Sequence, residues 1–185
     1  MYNELVKKPI VKPHLQIRKA KLSDAQIILD YLLVIGSESD NLTFGAEGLG
    51  YTVEEETKTI DTISKSDNSV MLLGFVDEQL VSVANLSGKS RERMKHYATL
   101  GISVRKSHWH QGIGKAMMKR LLAFAKKNSI LEMIELEVRS DNQHAIHLYE
   151  SLGFKQVGIM PKLMKINGST YDTLVMVKEC EKKND

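Results

Sequence analysis

The chain is 185 residues long, contains 42% hydrophobic and 26% charged residues, and has a formal net charge of +3. This length and composition predict one soluble globular domain, residues 1–185, with a core at about residues 15–180. The mild positive charge is compatible with an anionic ligand and does not favour a nucleic-acid-binding protein. Cys180 is the only cysteine, which excludes an internal disulfide.

The sequence contains no secretory signal and no apolar run long enough to cross a membrane, so we expect a cytoplasmic protein. Residues 1–13 and 181–185 are expected to be loose ends. The densest basic run, residues 89–96, is predicted to be a solvated loop. Nucleic-acid binding by that run is the alternative, and it would give a steeply salt-dependent affinity.

Two helices are predicted in the first third of the chain, after a short strand at Leu15–Lys19. Ser23 and Gln26 have the spacing of a capping box, as do Thr52 and Glu55, and each pair predicts a helix start. Between the two helices, residues 36–50 are predicted to be irregular. The apolar face of the first helix holds Ala25, Ile28, Leu29 and Leu32, and that of the second Val53, Thr57 and Ile60.

The middle of the chain predicts three strands and a longer helix. Residues 70–76 and 80–86 flank a short polar turn and predict a hairpin, and residues 97–104 predict the next strand. A helix should run from Gly112 to about Lys127 and end at Asn128 in a left-handed conformation. Its predicted buried residues are Ile113, Met117, Leu121 and Ala125.

The last part of the chain predicts three more strands and one helix. Residues 133–138 alternate apolar and polar side chains, which is typical of a strand. A helix near residues 142–152 should follow, with two strands near residues 154–160 and 171–177. The expected buried side chains of this helix are Ala145, Leu148 and Leu152. The order of elements predicts an α+β fold, with helices on the faces of a mixed sheet.

Residues 104–118 form the most informative segment, because Gly112 and Gly114 lie where a helix must begin. The start of a helix exposes unpaired backbone N–H groups and the positive end of the helix dipole. Glycines at that point let an anion approach the backbone closely, so the segment predicts a phosphate-binding loop. The alternative is an ordinary glycine-containing loop ahead of a helix.

Two common phosphate motifs do not match this loop. A Walker-type loop requires a glycine at the position of Trp109 and Ser or Thr after Lys115, where Ala116 stands. The dinucleotide fingerprint requires a third glycine at the position of Met117.

A second segment, residues 136–154, has the sequence Leu-Glu-Val-Arg-Ser-Asp-Asn-Gln-His-Ala-Ile-His-Leu-Tyr-Glu-Ser-Leu-Gly-Phe. Together with the glycine loop, it resembles the GNAT superfamily of acetyl-CoA-dependent N-acetyltransferases. The loop is similar to the pyrophosphate loop of that family, (Gln/Arg)-x-x-Gly-x-(Gly/Ala). The second segment is similar to its Asn-x-x-Ala-x-x-Leu-Tyr-x-x-Leu-Gly-Phe signature. Trp109 stands where the loop pattern prefers Gln or Arg, which alters a side-chain contact and leaves the backbone cradle intact.

The resemblance implies a three-layer α/β/α GNAT fold, with a twisted mixed sheet of six or seven strands and about four helices. It also implies acetyl-CoA as co-substrate and no metal. In this family two adjacent parallel strands diverge, and the pantetheine arm of acetyl-CoA binds in the gap like an extra strand. The residues that the resemblance assigns to acetyl-CoA are Ile102, Ser103, Val104, His110, Gln111, Gly112, Ile113, Gly114, Lys115 and Asn142.

Two residues are candidates for proton transfer. Acetylation needs a neutral amine, and a carboxylate can take the amine proton directly or through water. Glu137, twelve residues before Tyr149, resembles the base of the ribosomal-protein N-terminal acetyltransferases, although an ordinary exposed strand glutamate is the alternative. Glu135 shares its strand face and is the neighbour to distinguish. Tyr149 resembles the residue that protonates the departing thiolate, and a packing tyrosine is its alternative.

The acceptor is left open as a small amine, an amino acid or a protein N-terminus. Glu38 and Asp40 could attract a cationic amine or could be solvated loop charges. The histidines lack the cysteines or acidic residues that would complete a metal site, so none is expected. A non-catalytic acyl-CoA-binding module is the rival function, and a homodimer is left open.

Overall fold

The computed structural model describes residues 14–181; residues 1–13 and 182–185, where loose ends were expected, lie outside the described part. Seven strands form one mixed sheet in the order β1-β2-β3-β4-β5-β7-β6, and only the β4–β5 pair is parallel. The expected α+β class is therefore confirmed. The strands are β1 Gln16–Lys19, β2 Val70–Val76, β3 Gln79–Gly88, β4 Tyr97–Val104, β5 Met133–Arg139, β6 Lys155–Ile166 and β7 Ser169–Glu179.

Four helices cover the two faces of this sheet. They are α1 Ala25–Glu38, α2 Val53–Lys65, α3 Ile113–Lys127 and α4 Gln143–Ser151. Short 3-10 turns precede α1, lie between β3 and β4, and follow β4. Within residues 14–181, none of the helices is both long enough and apolar enough to span a membrane.

The helix starts agree with the sequence at one capping box and differ at the other. Thr52 and Glu55 form the predicted reciprocal bonds at the start of α2. The capping box predicted at Ser23 is wrong, since α1 begins only at Ala25, after a 3-10 turn. The buried Asp24 shapes that turn, because its carboxylate accepts the Lys21 N–H at 2.7 Å and binds the Arg18 guanidinium at 2.6 and 2.8 Å.

Two hydrophobic clusters lie on opposite faces of the sheet. One packs α1 and α2 against β2 and β3, and the other packs α3 and α4 against the central strands. The buried face predicted for α3 is confirmed, because all four of its predicted residues have at most 3% exposure. Val53 of α2 is instead exposed, since it lies in the first turn of its helix.

The packing of α4 differs from the prediction. Ile146 and Tyr149 are buried, while the predicted Ala145, Leu148 and Leu152 are only half-buried. The helix has only nine residues, so its apolar pattern defines the buried face loosely. The buried residues Ile146 and Tyr149 each follow a predicted residue by one position.

The end of α3 also differs from the prediction. Asn128 has a φ of −84°, so it is extended and not left-handed. Its side chain supplies the local bonds instead, because the amide donates to the Asp67 carbonyl at 2.6 Å and the oxygen accepts the N–H groups of Ile130 and Leu131.

The segment after α1 crosses that helix at very close range. A Cβ placed on Gly36 would lie 1.9 Å from the carbonyl oxygen of Gly45, so only glycine fits at this crossing. The crossing folds residues 39–50 back over α1. α1 and α2 pack mainly on β2 and β3, α1 also reaches β4 through the hydrogen bond between Tyr31 and Ser103, and β5 and β7 contribute no residue to this cluster.

Candidate active site

A gap opens between β4 and β5 at the centre of the sheet. The two strands pair in parallel only from Tyr97 with Met133 to Thr99 with Glu135. Beyond this point β4 continues to Val104 with β3 as its registered partner, and β5 continues with β7 as its partner. Each strand therefore has one unpaired edge that faces the other across the gap.

The backbone of β4 alternates between its two sides. The N–H of Arg105 donates to the Val81 carbonyl on β3 at 2.9 Å. In an antiparallel ladder, every second residue directs both backbone groups to the same partner strand, so the odd-numbered residues of β4 bind β3. Beyond the point of divergence, Ile102 and Val104 therefore present their N–H and carbonyl groups to the gap.

Ser103 behaves differently from its two neighbours. Its carbonyl accepts the buried hydroxyl of Ser82 at 2.7 Å, and a backbone contact of Ser103 with a cofactor stays a prediction. Its hydroxyl forms a 2.9 Å hydrogen bond with the hydroxyl of Tyr31 on α1. Burial raises the pKa of Tyr31 above its ordinary range, so the phenol stays protonated.

Trp109 occupies one carbonyl at the edge of the gap. Its indole N–H donates to the carbonyl of Val104 at 2.7 Å, while 37% of the residue is exposed. A residue that departs from the family pattern thus holds the end of β4 to the loop that follows. This bond leaves the backbone groups of Ile102 and the N–H of Val104 as the open positions on β4.

The start of α3 is the place where the sequence predicts an anion cradle. Gly112 is the N-cap and has a φ of +81°, a conformation that favours glycine. No atom lies within 4 Å of a Cβ built on Gly112, so the space beside it is open. The first helical bond runs from the Ala116 N–H to the Gly112 carbonyl at 3.0 Å, and the preceding N–H groups of Ile113–Lys115 point out of the helix.

The loop before α3 contacts the start of α4. His110, which has a φ of +61°, forms a 2.9 Å hydrogen bond through Nδ1 to Nε2 of His144. Gln111 donates its side-chain amide to the Ser107 carbonyl at 3.2 Å, which braces the loop internally. Lys115 is exposed on the first turn of α3, where its charge faces solvent.

α4 carries Asn142 and Tyr149, two of the candidate site residues. Asn142 is its N-cap, with the side-chain oxygen accepting the Ala145 N–H at 3.2 Å, so the amide nitrogen remains for another contact. Tyr149 has 8% exposure, and its hydroxyl has no hydrogen-bond partner among residues 14–181. Burial raises its pKa to about 12. The phenol is therefore protonated and free to donate.

Two glutamates share one face of β5 and differ in their surroundings. Glu137 is exposed and makes no side-chain bond within the described part of the chain. Glu135 is half-buried and accepts the Tyr97 hydroxyl at 2.8 Å. Tyr97 and Glu135 border a recess of about 430 Å³, which is also lined by Lys89, Met94 and His96. Because side chains alternate along a strand, Glu137 lies on the face opposite Leu136, Val138 and the Tyr149 cluster.

The acidic residues at the end of α1 and just after it have different environments. Both oxygens of Glu38 are bound, one to Arg105 Nε at 2.9 Å and the other to the Lys106 N–H at 2.8 Å. Both carboxylate oxygens of Glu38 therefore have partners within the protein, and its attraction of a cationic amine stays a prediction. The Asp40 side chain is exposed, and its backbone carbonyl accepts Arg139 Nη1 at 2.9 Å.

Comparison with known proteins shows the family to which this chain belongs. A family profile described as the acetyltransferase (GNAT) family matches residues 40–154, which is more than half of the chain. The chain belongs to the GNAT acetyltransferase family. A solved GNAT-family acetyltransferase from Streptococcus pneumoniae has a TM-score of 0.88 with this chain at 28% identity, covering 91% of this chain and 100% of that one.

Two GNAT relatives match over a shorter region. The chain is 33% identical over 95 residues to the N-alpha-acetyltransferase RimI of Mycobacterium tuberculosis, covering 51% of this chain and 58% of that protein. It is 28% identical over 107 residues to the L-amino acid N-acetyltransferase AaaT of Escherichia coli, covering 58% of this chain and 66% of that protein. The chain thus spans between half and two thirds of the length of these relatives.

Arg139 and Tyr31 are further candidate residues that the sequence motifs did not mark. Arg139 lies two residues after Glu137 on the same face, and its guanidinium binds Asp141 at 2.6 and 2.9 Å and stacks 3.9 Å from the Tyr171 ring centre. Its place inside the GNAT signature segment was the signal that could have revealed it. For Tyr31 the signal was a phenol within the apolar face of α1, where a buried hydroxyl requires a partner.

Proposed function

We propose that the protein is an acetyl-CoA-dependent N-acetyltransferase that transfers an acetyl group directly to a primary amine. The observation that carries the proposal is the gap between β4 and β5, with Glu137 on one face of the sheet and Tyr149 on the other. Membership of the GNAT family supports the same reaction class.

The shape and the donors of the gap fit acetyl-CoA. The open backbone of Ile102 can pair with an extended amide-containing arm, as a strand edge pairs with a peptide. The free N–H groups at the start of α3 and the open space at Gly112 fit a pyrophosphate. Asn142 has an amide nitrogen available for the arm. When bound, acetyl-CoA supplies an acetyl group activated as a thioester.

Glu137 is the proposed base. A primary amine with a pKa near that of lysine is mostly protonated at neutral pH, and the protonated form cannot attack a carbonyl carbon. The exposed carboxylate of Glu137 can accept that proton directly or through one water. Its free oxygens distinguish it from Glu135, which is bound to Tyr97.

Tyr149 is the proposed acid. Tyr149 lies on the side of the sheet covered by α3 and α4, most of its side chain is buried, and its hydroxyl has no hydrogen-bond partner within residues 14–181. A pKa of about 12 keeps its proton in place throughout the neutral range. It can therefore donate to the sulfur as the thiolate departs.

The acceptor is proposed to be a small amine, an amino acid or a protein N-terminus. One of the two relatives is named an N-alpha-acetyltransferase and the other an L-amino acid N-acetyltransferase. The acceptor would reach Glu137 across the sheet face that α1 and α2 leave uncovered, where the exposed Asp40 carboxylate is available to a cation.

A turnover screen tests the proposal. Release of the coenzyme A thiol from acetyl-CoA should be measured with amines, amino acids and peptides that have free N-termini, for the parent and for Tyr149→Phe. Turnover by the parent that depends on Tyr149 is the expected result. Acetyl-CoA binding without turnover across the whole panel would favour a non-catalytic acyl-CoA-binding module.

A further inference from the structure

The segment from Glu38 to Asp40, at the C-terminal end of α1, joins the two halves of the candidate site. Its first contact is with the loop between β4 and α3, where the Glu38 carboxylate binds Arg105 Nε and the Lys106 N–H. Its second contact is with β5, where the Asp40 carbonyl accepts Arg139 Nη1. Two positions of one short segment therefore contact the proposed cofactor loop and the strand that carries Glu137.

The contact made by Glu38 is built to hold the loop. Charge-assisted hydrogen bonds are about twice as strong as neutral ones, and Glu38 makes one to a guanidinium and one to a backbone N–H. The side chains of Glu38 and Arg105 are each 19% exposed, so solvent screens the pair less than it screens a surface pair. The N–H of Arg105 is also fixed by the Val81 carbonyl. Glu38 thus determines the direction in which the chain leaves β4.

That direction matters for the anion cradle. Residues 105–112 are a short connection from the end of β4 to the N-cap of α3, and they include a 3-10 turn. A shift at Lys106 would be transmitted through this turn to His110 and Gly112, which both have a positive φ. Glu38 contacts the loop from the acceptor side of the sheet, because α1 packs on that face.

We propose that Glu38 is a positioning residue that couples the acceptor side of the site to the acetyl-CoA loop. The inference rests on the proposed function, because it takes acetyl-CoA to be the ligand of that loop. Coupling between two binding sites is reciprocal. An acceptor that displaces residues 38–40 changes the affinity of the loop for acetyl-CoA, and acetyl-CoA changes the affinity for that acceptor by the same factor.

The test measures acetyl-CoA binding to the full chain by calorimetry, without any acceptor. The variants are Glu38→Ala and Glu38→Gln, with Glu54→Gln as a matched control on the exposed surface of α2. We expect Glu38→Ala to weaken binding about tenfold. Glu38→Gln should weaken it less, since its amide oxygen can still accept the Lys106 N–H. The control should bind like the parent.

A second readout separates positioning from general stability. Amide hydrogen exchange over residues 105–112 should be faster in Glu38→Ala and should slow again when acetyl-CoA is saturating. A residue that only stabilises the fold would lower the melting temperature and leave both the acetyl-CoA affinity and the local exchange pattern unchanged. If Glu38→Ala does not fold, the same measurements of acetyl-CoA affinity and amide exchange on Glu38→Gln test the proposal.

The outcomes distinguish the coupling from the proposed function. Affinity within twofold of the parent in both folded Glu38 variants overturns the coupling and leaves the acetyltransferase proposal standing. A parent protein that does not bind acetyl-CoA at all overturns both.

Discussion

The hydroxyl of Tyr97 donates to Oε2 of Glu135 at 2.8 Å, and this bond separates two glutamates that share one face of β5. Burial, together with the neighbouring carboxylate, raises the pKa of Tyr97 to about 12, so the phenol remains a donor. Glu135 is therefore engaged in the fold, while Glu137, two residues further on, is exposed and open to an acceptor.

Glu137→Gln should lower turnover most at neutral pH. The variant cannot take the amine proton, but at high pH the amine is already neutral, so part of the loss should be recovered there. The pH–rate profiles of parent and variant measure this effect once an acceptor is known. Glu135→Gln is the matched control, because it changes the same side chain on the same strand face and should not show the recovery at high pH. A Glu137→Gln profile that follows the parent would assign proton removal to another group or to water.

Tyr149→Phe should reduce turnover roughly 10²–10⁴-fold with little change in acetyl-CoA affinity. The melting temperature should stay close to that of the parent, because the hydroxyl has no partner to lose among the described residues. In the parent, the raised pKa means that Tyr149 causes no loss of rate until the pH approaches about 12. Single-turnover kinetics and thermal melts measure the two effects. Tyr51→Phe, at an exposed position, is the control, and parent-like turnover by Tyr149→Phe would leave Tyr149 only a packing role.

Gly112→Val should weaken acetyl-CoA binding at least tenfold, or about 1.4 kcal/mol. A branched side chain would fill the open space at the helix start and would resist the φ of +81°. Gly168→Val separates these two effects, since Gly168 has a φ of +84° and equally open surroundings in the β6–β7 turn. Both variants should melt at lower temperatures than the parent, and only Gly112→Val should lose affinity in calorimetry. Equal affinities in both folded variants would remove the cradle from the site.

Arg139→Lys should raise the acceptor KM about tenfold, which corresponds to a loss of about 1.4 kcal/mol in binding free energy. Lysine cannot reproduce the planar fork that binds Asp141 and the Asp40 carbonyl together, nor the stacking on Tyr171. Acetyl-CoA affinity should change less than threefold, because Glu38 still holds the cofactor loop. Steady-state kinetics and calorimetry measure the two quantities, with the exposed Arg93→Lys as control. A larger loss in acetyl-CoA affinity than in acceptor KM would reverse the assignment of Arg139 to the acceptor side.

Local patterns in the sequence predict most of the secondary structure. The α3 face from Ile113 to Ala125 and the capping pair at Thr52 were predicted correctly, because each depends on residues within one or a few helical turns. The errors at Ser23 and Asn128 arise where side chains bind outside the pattern. Asp24 is held by Arg18, and Asn128 donates to the carbonyl of Asp67, 61 residues away.

The predicted cofactor loop and the contacts around it differ in the same way. The cradle predicted at Gly112 depends on one continuous segment, so a sequence motif can mark it, and it stays a prediction. Two contacts shape the acceptor side. Arg139 binds Asp40, which is 99 residues away in the sequence, and Arg105 binds Glu38, which is 67 residues away. No periodicity or spacing within a single sequence encodes such pairs, because they depend on which strands become neighbours in the sheet.

Trp109 can serve as an intrinsic fluorescence probe. It is the only tryptophan in the sequence, and its indole N–H is bonded to the carbonyl of Val104 at the edge of the gap. Tryptophan emission from this protein therefore originates entirely from the loop between β4 and α3, and indole emission shifts when the polarity or hydrogen bonding around the ring changes. Stopped-flow fluorescence can accordingly follow the arrival and departure of ligands at this loop in real time, without a label and before any acceptor is known.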